Sequence, residues 1–223
     1  GINGSGKHNN WALSTDKGVN LLEPGDSPSQ NTTFLLFLTA VIKAVDDYQE
    51  MLRASVATAG NDHRLGSSEA PPAIISVFLG DELTAIYKAL EDGTLYKDKK
   101  PTDLKIGAKV LPPLPQDTTD RNRTSPVAFT GNKFEFRMVG SASSIADTNT
   151  TLNTAIAEVL KQFADELESS NDIDTDVISL IKRTVREHQR ILFNGNNYSQ
   201  EWVKEAKKRG LANLKTAADA LPH

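Results

Sequence analysis

Cysteine is absent from this 223-residue sequence, which also has only 6% aromatic residues. Without cysteine the chain can form neither disulfides nor thiolate-ligated metal sites, so a bound metal would need histidine, aspartate or glutamate as ligands. The formal net charge of -4 leaves no basic excess of the kind that nucleic acids and anionic membranes attract. Small molecules and other subunits are therefore the expected partners, with no nucleic acid and no membrane.

The sequence also lacks a long apolar run. The longest, over residues 34–45, is interrupted by Thr39 and Lys43 and is shorter than the roughly 20 apolar residues of a membrane span. No basic segment followed by an apolar one begins the chain, so no secretion signal is visible and a cytoplasmic location is expected. Because Gly1 lies inside a loop-like segment, we expect the sequence to be part of a longer protein.

Hydrophobic periodicity predicts a mixture of strands and helices. Residues 7–14 and 133–139 alternate as strands do, and the second has an apolar face and a charged face. Residues 73–79 form a short apolar run typical of a buried strand. Helical spacing predicts helices over residues 32–59, ending at Gly60 and Asn61, and over 81–91, 150–168, 175–192 and from 199 onward. Irregular mixing of these elements favours an α+β fold over a doubly wound sheet.

The first eight residues come close to a P-loop. That motif needs a serine or threonine after its lysine, to bind magnesium and open a helix, but His8 follows Lys7 here. The residues after His8 alternate like a strand. We therefore interpret this stretch as a glycine-rich turn that leads into a strand, with His8 and Asn10 on the same face.

Four segments together resemble glutamine synthetases of type III. They are NGSGKHNNW at residues 3–11, NDHRLGSSEAPP at 61–72, DRNRTSP at 120–126 and NKFEFR at 132–137, and they occur in the family's order. The resemblance implies the α+β fold of the glutamine synthetase catalytic domain, an antiparallel curved sheet with flanking helices, here without the N-terminal β-grasp part and the C-terminal end. It also implies a catalytic core fragment over 1–145, a surface insertion at 92–117 and a helical region over 146–223.

The resemblance makes His8 and Glu135 metal ligands. Magnesium or manganese is implied, and carboxylate oxygen suits both while imidazole suits manganese. Without the resemblance, a single histidine is more often a core or surface residue, and the charged face that carries Glu135 is more often solvated. The same comparison implies that ATP is a co-substrate.

Substrate-binding and catalytic residues follow from the same four segments. The resemblance assigns glutamate binding to Gly4, His8, Arg64 and Arg137. It assigns nucleotide binding to Asn10, Arg123 and Lys133, and catalysis to Arg121 and Glu69. Arginine suits carboxylate and phosphoryl groups because its planar fork pairs bidentately. In the sequence, Glu69 stands between a flexible segment and a segment stiffened by prolines, and such a position suits a flap that closes over a bound substrate.

The implied activity is the ATP-dependent ligation of ammonia to glutamate, through γ-glutamyl phosphate, in a large homo-oligomeric ring. The present chain alone is expected to be inactive. Two alternatives stay open: a γ-glutamyl ligase that acts on an amine or polyamine, and a catalytically dead structural homologue.

Overall fold

The computed structural model describes residues 5–67, 70–97, 103–104, 114–115 and 124–221. A mixed four-stranded sheet in the order β1-β6-β5-β2 is flanked by helices, and a separate two-stranded sheet pairs β3 with β4. The strands are β1 (Gly6–Trp11), β2 (Val77–Phe78), β3 (Asp103–Leu104), β4 (Leu114–Pro115), β5 (Val127–Phe129) and β6 (Phe134–Gly140). The helices are α1 (Thr32–Asp47), α2 (Gln49–Ala54), α3 (Ala59–Asp62), α4 (Asp81–Asp92), α5 (Ala146–Leu167), α6 (Ile173–His188), α7 (Gln200–Lys208) and α8 (Ala217–Ala220).

This architecture confirms the predicted α+β class, with one difference in the sheet. β6 pairs antiparallel with both β1 and β5, as expected, whereas β2 pairs parallel with β5. In the described part of the chain no helix is long and apolar enough to cross a membrane.

Strand β1 lies with one face against the start of α5. Lys7 Nζ donates to the Ser143 carbonyl at 2.6 Å, and Asn9 Nδ2 donates to the side chain of Asn149 at 2.8 Å. Trp11 Nε1 donates to the Asn153 side chain at 2.9 Å. Because side chains alternate along a strand, the opposite face of β1 carries His8 and Asn10, as the sequence predicted.

The long helix predicted over 32–59 is divided into α1, α2 and the single turn α3. After α1 the Gln49 side chain donates to the carbonyl oxygen of Asp46 at 3.0 Å, which competes with the regular i to i−4 bond. Thr58 then caps α3, its hydroxyl accepting from the backbone N–H of Asn61 at 3.2 Å. The prediction that Gly60 and Asn61 form a C-cap is therefore wrong, because both lie within α3.

The predicted buried strand at 73–79 is buried but shorter than expected. Only Val77 and Phe78 join the ladder, parallel to Val127 and Ala128. Just before them, Ser76 is fully buried and its hydroxyl donates to the side chain of Asn197 at 2.7 Å. The Ser76 carbonyl still accepts from the backbone N–H of Val127 at 3.2 Å, while its side chain ties this segment to the C-terminal region.

Buried polar groups join α1 to the end of α6. Asp46 is 2% exposed, and its carboxylate accepts from Arg190 Nε at 2.8 Å and contacts His188 Nδ1 at 2.8 Å. Lys43 Nζ lies 3.5 Å from the other ring nitrogen of His188 and donates to Asp47 at 2.7 Å. Because an ammonium group can only donate, this arrangement favours the His188 tautomer with its proton on Nδ1.

We expect Asp46→Ala to lower the free energy of unfolding by about 3–5 kcal/mol, because it removes the carboxylate that compensates a buried imidazole and a guanidinium. Asp47→Ala is the matched control: its side chain is 33% exposed, and its loss should cost less than about 1 kcal/mol. Urea unfolding of both variants measures the difference. Similar small losses would show that the network contributes little to stability.

Candidate active site

The charged face of the β1–β6 pair brings together three of the predicted site residues. Glu135 Oε2 lies 3.3 Å from His8 Nδ1 and accepts from Arg137 Nε at 3.0 Å. Arg137 Nη2 is also 3.0 Å from the same oxygen. His8 is half exposed, Glu135 is partly buried and Arg137 is 4% exposed. The cluster is thus anchored on its arginine side and open on its histidine side.

A β-bulge shapes the strand that carries this cluster. Lys7 pairs with Val139, but Asn9 pairs with Phe136, so His8 faces two residues of β6 instead of one. A bulge interrupts the ladder and leaves backbone groups without strand partners. The bulge therefore changes the direction of β6 at Arg137, which lies opposite His8.

Arg64 supplies hydrogen bonds at this bulge. Its Nη2 donates to the Arg137 carbonyl at 2.9 Å and its Nη1 donates to the Met138 carbonyl at 3.2 Å. Asn61 donates to the same Met138 carbonyl at 2.9 Å. Gly6 makes room for this arrangement, because a Cβ there would lie 1.9 Å from Arg64 Nη2. The guanidinium thus lies directly against the glycine that begins β1.

Burial lowers the pKa of the Arg64 guanidinium below its usual value, and the phenol of Tyr198 opposes that shift. Because arginine stays protonated in proteins, Arg64 is a buried cation that has lost most of its contact with water. An anion that approached it would be attracted more strongly than at an exposed arginine. Tyr198 is a neighbour that the sequence did not predict.

A pocket of about 200 Å³ lies beside this cation. Hydroxyl and amide groups line it together with Arg64; the other lining residues are Ser5, Thr58, Gly60, Asn61, Gly140, Ser141, Ala142 and Ser143. Small side chains leave space, while the guanidinium and the hydroxyl donors suit a carboxylate or another small anion.

His8 and Glu135 fit a divalent cation as a pair of ligands. Adjacent ligand atoms of an octahedral Mg²⁺ or Mn²⁺ site lie about 3 Å apart, because each is about 2.1 Å from the ion. The 3.3 Å between His8 Nδ1 and Glu135 Oε2 is close to that separation. One carboxylate and one exposed imidazole are a donor set that manganese accepts readily and magnesium less so.

Among the described residues one group of three potential metal ligands comes together elsewhere: Asp46, Asp47 and His188. Arg190 and Lys43 already donate to these carboxylates. A metal ion there would have to displace two cations, so the chemistry of the group is that of a structural ion network.

Other predicted site residues have less structural support. Asn10 pairs with Glu135 across the β1–β6 ladder and is exposed, and Lys133 is partly buried just before β6. Four predicted residues lie outside the described ranges: Gly4, Glu69, Arg121 and Arg123. Asn61 was missed because its position beside Gly60 had been interpreted as a helix end; its place three residues before Arg64 was the available signal.

Comparison with known proteins shows which class of protein the chain resembles. Residues 176–223 match the model of the glutamine synthetase C-terminal domain. Three curated relatives align with essentially the whole chain, at identities from 46% to 52%. The chain is similar to glutamine synthetases along essentially its whole length.

The individual relatives point to a particular type. A type-3 glutamine synthetase of Dictyostelium discoideum is 52% identical over 224 residues, which is 99% of this chain and 30% of that protein. Glutamine synthetases of Butyrivibrio fibrisolvens and Bacteroides fragilis are 49% and 46% identical, and the chain covers 32% of each. The predicted resemblance to type III glutamine synthetase is thus confirmed, for a chain that spans about a third of its relatives' length.

Proposed function

We propose that the longer protein containing this chain is a glutamate–ammonia ligase that forms glutamine from glutamate, ammonia and ATP. The observation that carries the proposal is the convergence of His8 and Arg137 on the same oxygen of Glu135, at 3.3 Å and 3.0 Å, on one sheet face. The half-exposed imidazole lies beside a carboxylate that a buried guanidinium holds in place, so one side of the cluster is open to a ligand. The relatives' names support the same activity.

In this proposal Arg64 and Arg137 bind the two carboxylates of glutamate. Both guanidinium groups are more than nine-tenths buried, so their positions are fixed before a ligand arrives. Fixed donors lower the entropy lost on binding, and arginine's planar fork also sets the orientation of a carboxylate. The pocket beside Arg64 is the proposed place for one of these carboxylates. Gly4 is proposed to contribute to the same glutamate site.

His8 and Glu135 are the proposed ligands of a Mg²⁺ or Mn²⁺ ion. When bound, such an ion would neutralise charge on the phosphoryl group that passes from ATP to glutamate. Arg137 holds Glu135 Oε2 at 3.0 Å and thereby orients the carboxylate towards His8. Orientation by a neighbouring hydrogen bond is what a metal-binding carboxylate requires.

The remaining assignments concern the nucleotide, the phosphoryl group and the lid. Asn10, Lys133 and Arg123 are proposed to face the nucleotide. Arg121 is proposed to stabilise the transferred phosphoryl group, and Glu69 to close over the γ-glutamyl phosphate and accept a proton from ammonium. A cytoplasmic, homo-oligomeric ring remains part of the proposal, as does the division of the chain at residue 145.

We expect phosphate release by the full-length protein to require ATP, glutamate and ammonium together. Ammonium should support a rate at least about tenfold higher than equal concentrations of methylamine or putrescine, because a site shaped for a small cation rejects bulk. A coupled assay of phosphate and of glutamine measures both. Faster turnover with an amine would indicate the γ-glutamyl amine ligase, and no turnover with any nitrogen donor would indicate a dead homologue.

A further inference from the structure

Asn61 occupies a central position behind the proposed glutamate site. It is 3% exposed, and its Nδ2 donates to the carbonyls of Val56 at 2.8 Å and Met138 at 2.9 Å. Its Oδ1 accepts from Arg64 Nη1 at 3.2 Å. The carboxamide thus uses both donor hydrogens and its acceptor on three different parts of the chain.

The orientation of this carboxamide follows from its partners. Carbonyl oxygens can only accept and a guanidinium can only donate, so the NH₂ group must face Val56 and Met138 and the oxygen must face Arg64. An apolar residue of similar size would leave the Met138 carbonyl with fewer donors, and one guanidinium hydrogen of Arg64 without the acceptor it now has. No other residue type offers two donors and an acceptor at this short reach.

Asn61 therefore connects α3 to the bulge in β6. Arg64 and Asn61 share the Met138 carbonyl, and Arg64 reaches the neighbouring Arg137 carbonyl as well. A shift of the Asn61 oxygen would allow the guanidinium to rotate away from the bulge. Because one misplaced ångström in a binding group can reduce catalysis strongly, small rotations matter here.

We propose that Asn61 is a positioning residue that acts through Arg64: it sets the direction of the guanidinium and thereby the affinity for the glutamate carboxylate. This inference rests on the proposed function, because it takes glutamate as the ligand of Arg64. Asn61 also lines the pocket, but both its donor hydrogens and its acceptor are bonded to protein groups. Its effect reaches the ligand by way of one hydrogen bond to Arg64.

Two substitutions separate positioning from stability. Asn61→Ala removes the acceptor that faces Arg64, so the KM for glutamate should rise about 10- to 100-fold while the KM for ATP changes less than about twofold. Asn61→Asp keeps an oxygen towards Arg64 but turns a second oxygen against two carbonyls. We expect it to be the less stable variant and yet to keep a KM for glutamate within about threefold of the unsubstituted enzyme.

Gln49→Ala is the matched control. Gln49 is another buried carboxamide, bonded to Asp46 and to the backbone N–H of Ala212, and within the described ranges its hydrogen bonds do not reach the proposed site residues. Its loss should lower the melting temperature without changing either KM. If Asn61→Ala fails to assemble, Asn61→Leu fills more of the space, also removes the acceptor, and carries the same expectation.

The measurements are steady-state kinetics and thermal unfolding of the full-length enzyme. The order of glutamate KM values should differ from the order of stabilities. The KM for glutamate should be high in Asn61→Ala and near normal in Asn61→Asp, whereas Asn61→Asp should be the least stable variant. KM values that follow stability, in Asn61 and Gln49 variants alike, would overturn the positioning role. An unsubstituted enzyme without glutamate-dependent turnover would instead refute the proposed function, and the inference with it.

Discussion

Glu135→Gln in the full-length enzyme is expected to lower kcat for glutamine formation by about 10³-fold. Glutamine keeps the shape of the side chain but removes the negative charge that lies 3.3 Å from His8 Nδ1 and 3.0 Å from two nitrogens of Arg137. A neutral amide is a poor ligand for a divalent cation. It also places an NH₂ group or a weaker acceptor against the guanidinium.

The loss should be accompanied by weaker metal dependence. Titration with Mn²⁺ should require a higher concentration for half-maximal activity in Glu135→Gln than in the unsubstituted enzyme, because the substitution removes the anionic member of the proposed ligand pair. Glu166→Gln provides the control: Glu166 pairs with Arg183 on exposed helix surface, and its loss should leave kcat within about twofold. Equal activity of both variants would remove Glu135 from the site.

Gly6→Ala is expected to have the second largest effect, lowering kcat/KM for glutamate by about 10²-fold. The new Cβ would lie 1.9 Å from Arg64 Nη2 and 2.1 Å from its Cζ, which is far inside van der Waals contact. Either the guanidinium leaves the carbonyls of Arg137 and Met138, or β1 moves away from β6. Both responses change the geometry of the proposed carboxylate site.

Gly60→Ala separates this clash from the general effect of adding a methyl group. Gly60 lines the same pocket, but a Cβ there meets nothing within 4 Å and lies in a helical turn. Alanine should stabilise that turn slightly and leave glutamate kinetics within about threefold. Kinetics of the two variants, with thermal melting as a check on folding, decide the issue. A normal Gly6→Ala enzyme would show that Arg64 can move without consequence.

Local periodicity was sufficient to predict most elements. Alternation in β1 and β6 identified which side chains share a face, and the contacts of Lys7, Asn9 and Trp11 with the start of α5 bear this out. Helices α4 to α7 begin within four residues of their predicted starts. These elements have strong patterns and local caps, such as Ser199 accepting from Trp202 N–H at 3.0 Å.

The features that sequence patterns missed depend on individual side-chain bonds and on distant residues. Periodicity in 32–59 is continuous, so the hydrophobic pattern does not show that the Gln49 side chain bonds to the Asp46 carbonyl where α1 ends. The bulge opposite His8 is a matter of register between two strands, and register is set by tertiary pairing. Arg64 lies in a polar stretch of the sequence, yet it is 6% exposed, because the backbone carbonyls at the bulge accept its hydrogen bonds.

The resemblance was more informative than pattern for the site itself. From composition and spacing alone, His8 would be interpreted as a core or surface histidine, and Glu135 as part of a solvated face. The structure brings both together with Arg137, which three distances document. Asn61 and Tyr198 could not have been found this way, because their relevance comes only from their proximity to Arg64.

The way β1 is held has a consequence for how the protein folds. Its side-chain bonds to the start of α5 span 136 to 142 positions of sequence, and its ladder partner β6 is similarly remote. Such contacts form only after a large loop has closed, whereas helical turns form within microseconds or less. The imidazole of His8 therefore reaches Glu135 late in folding. A ribosome must have released both ends of this segment before the cluster exists at all.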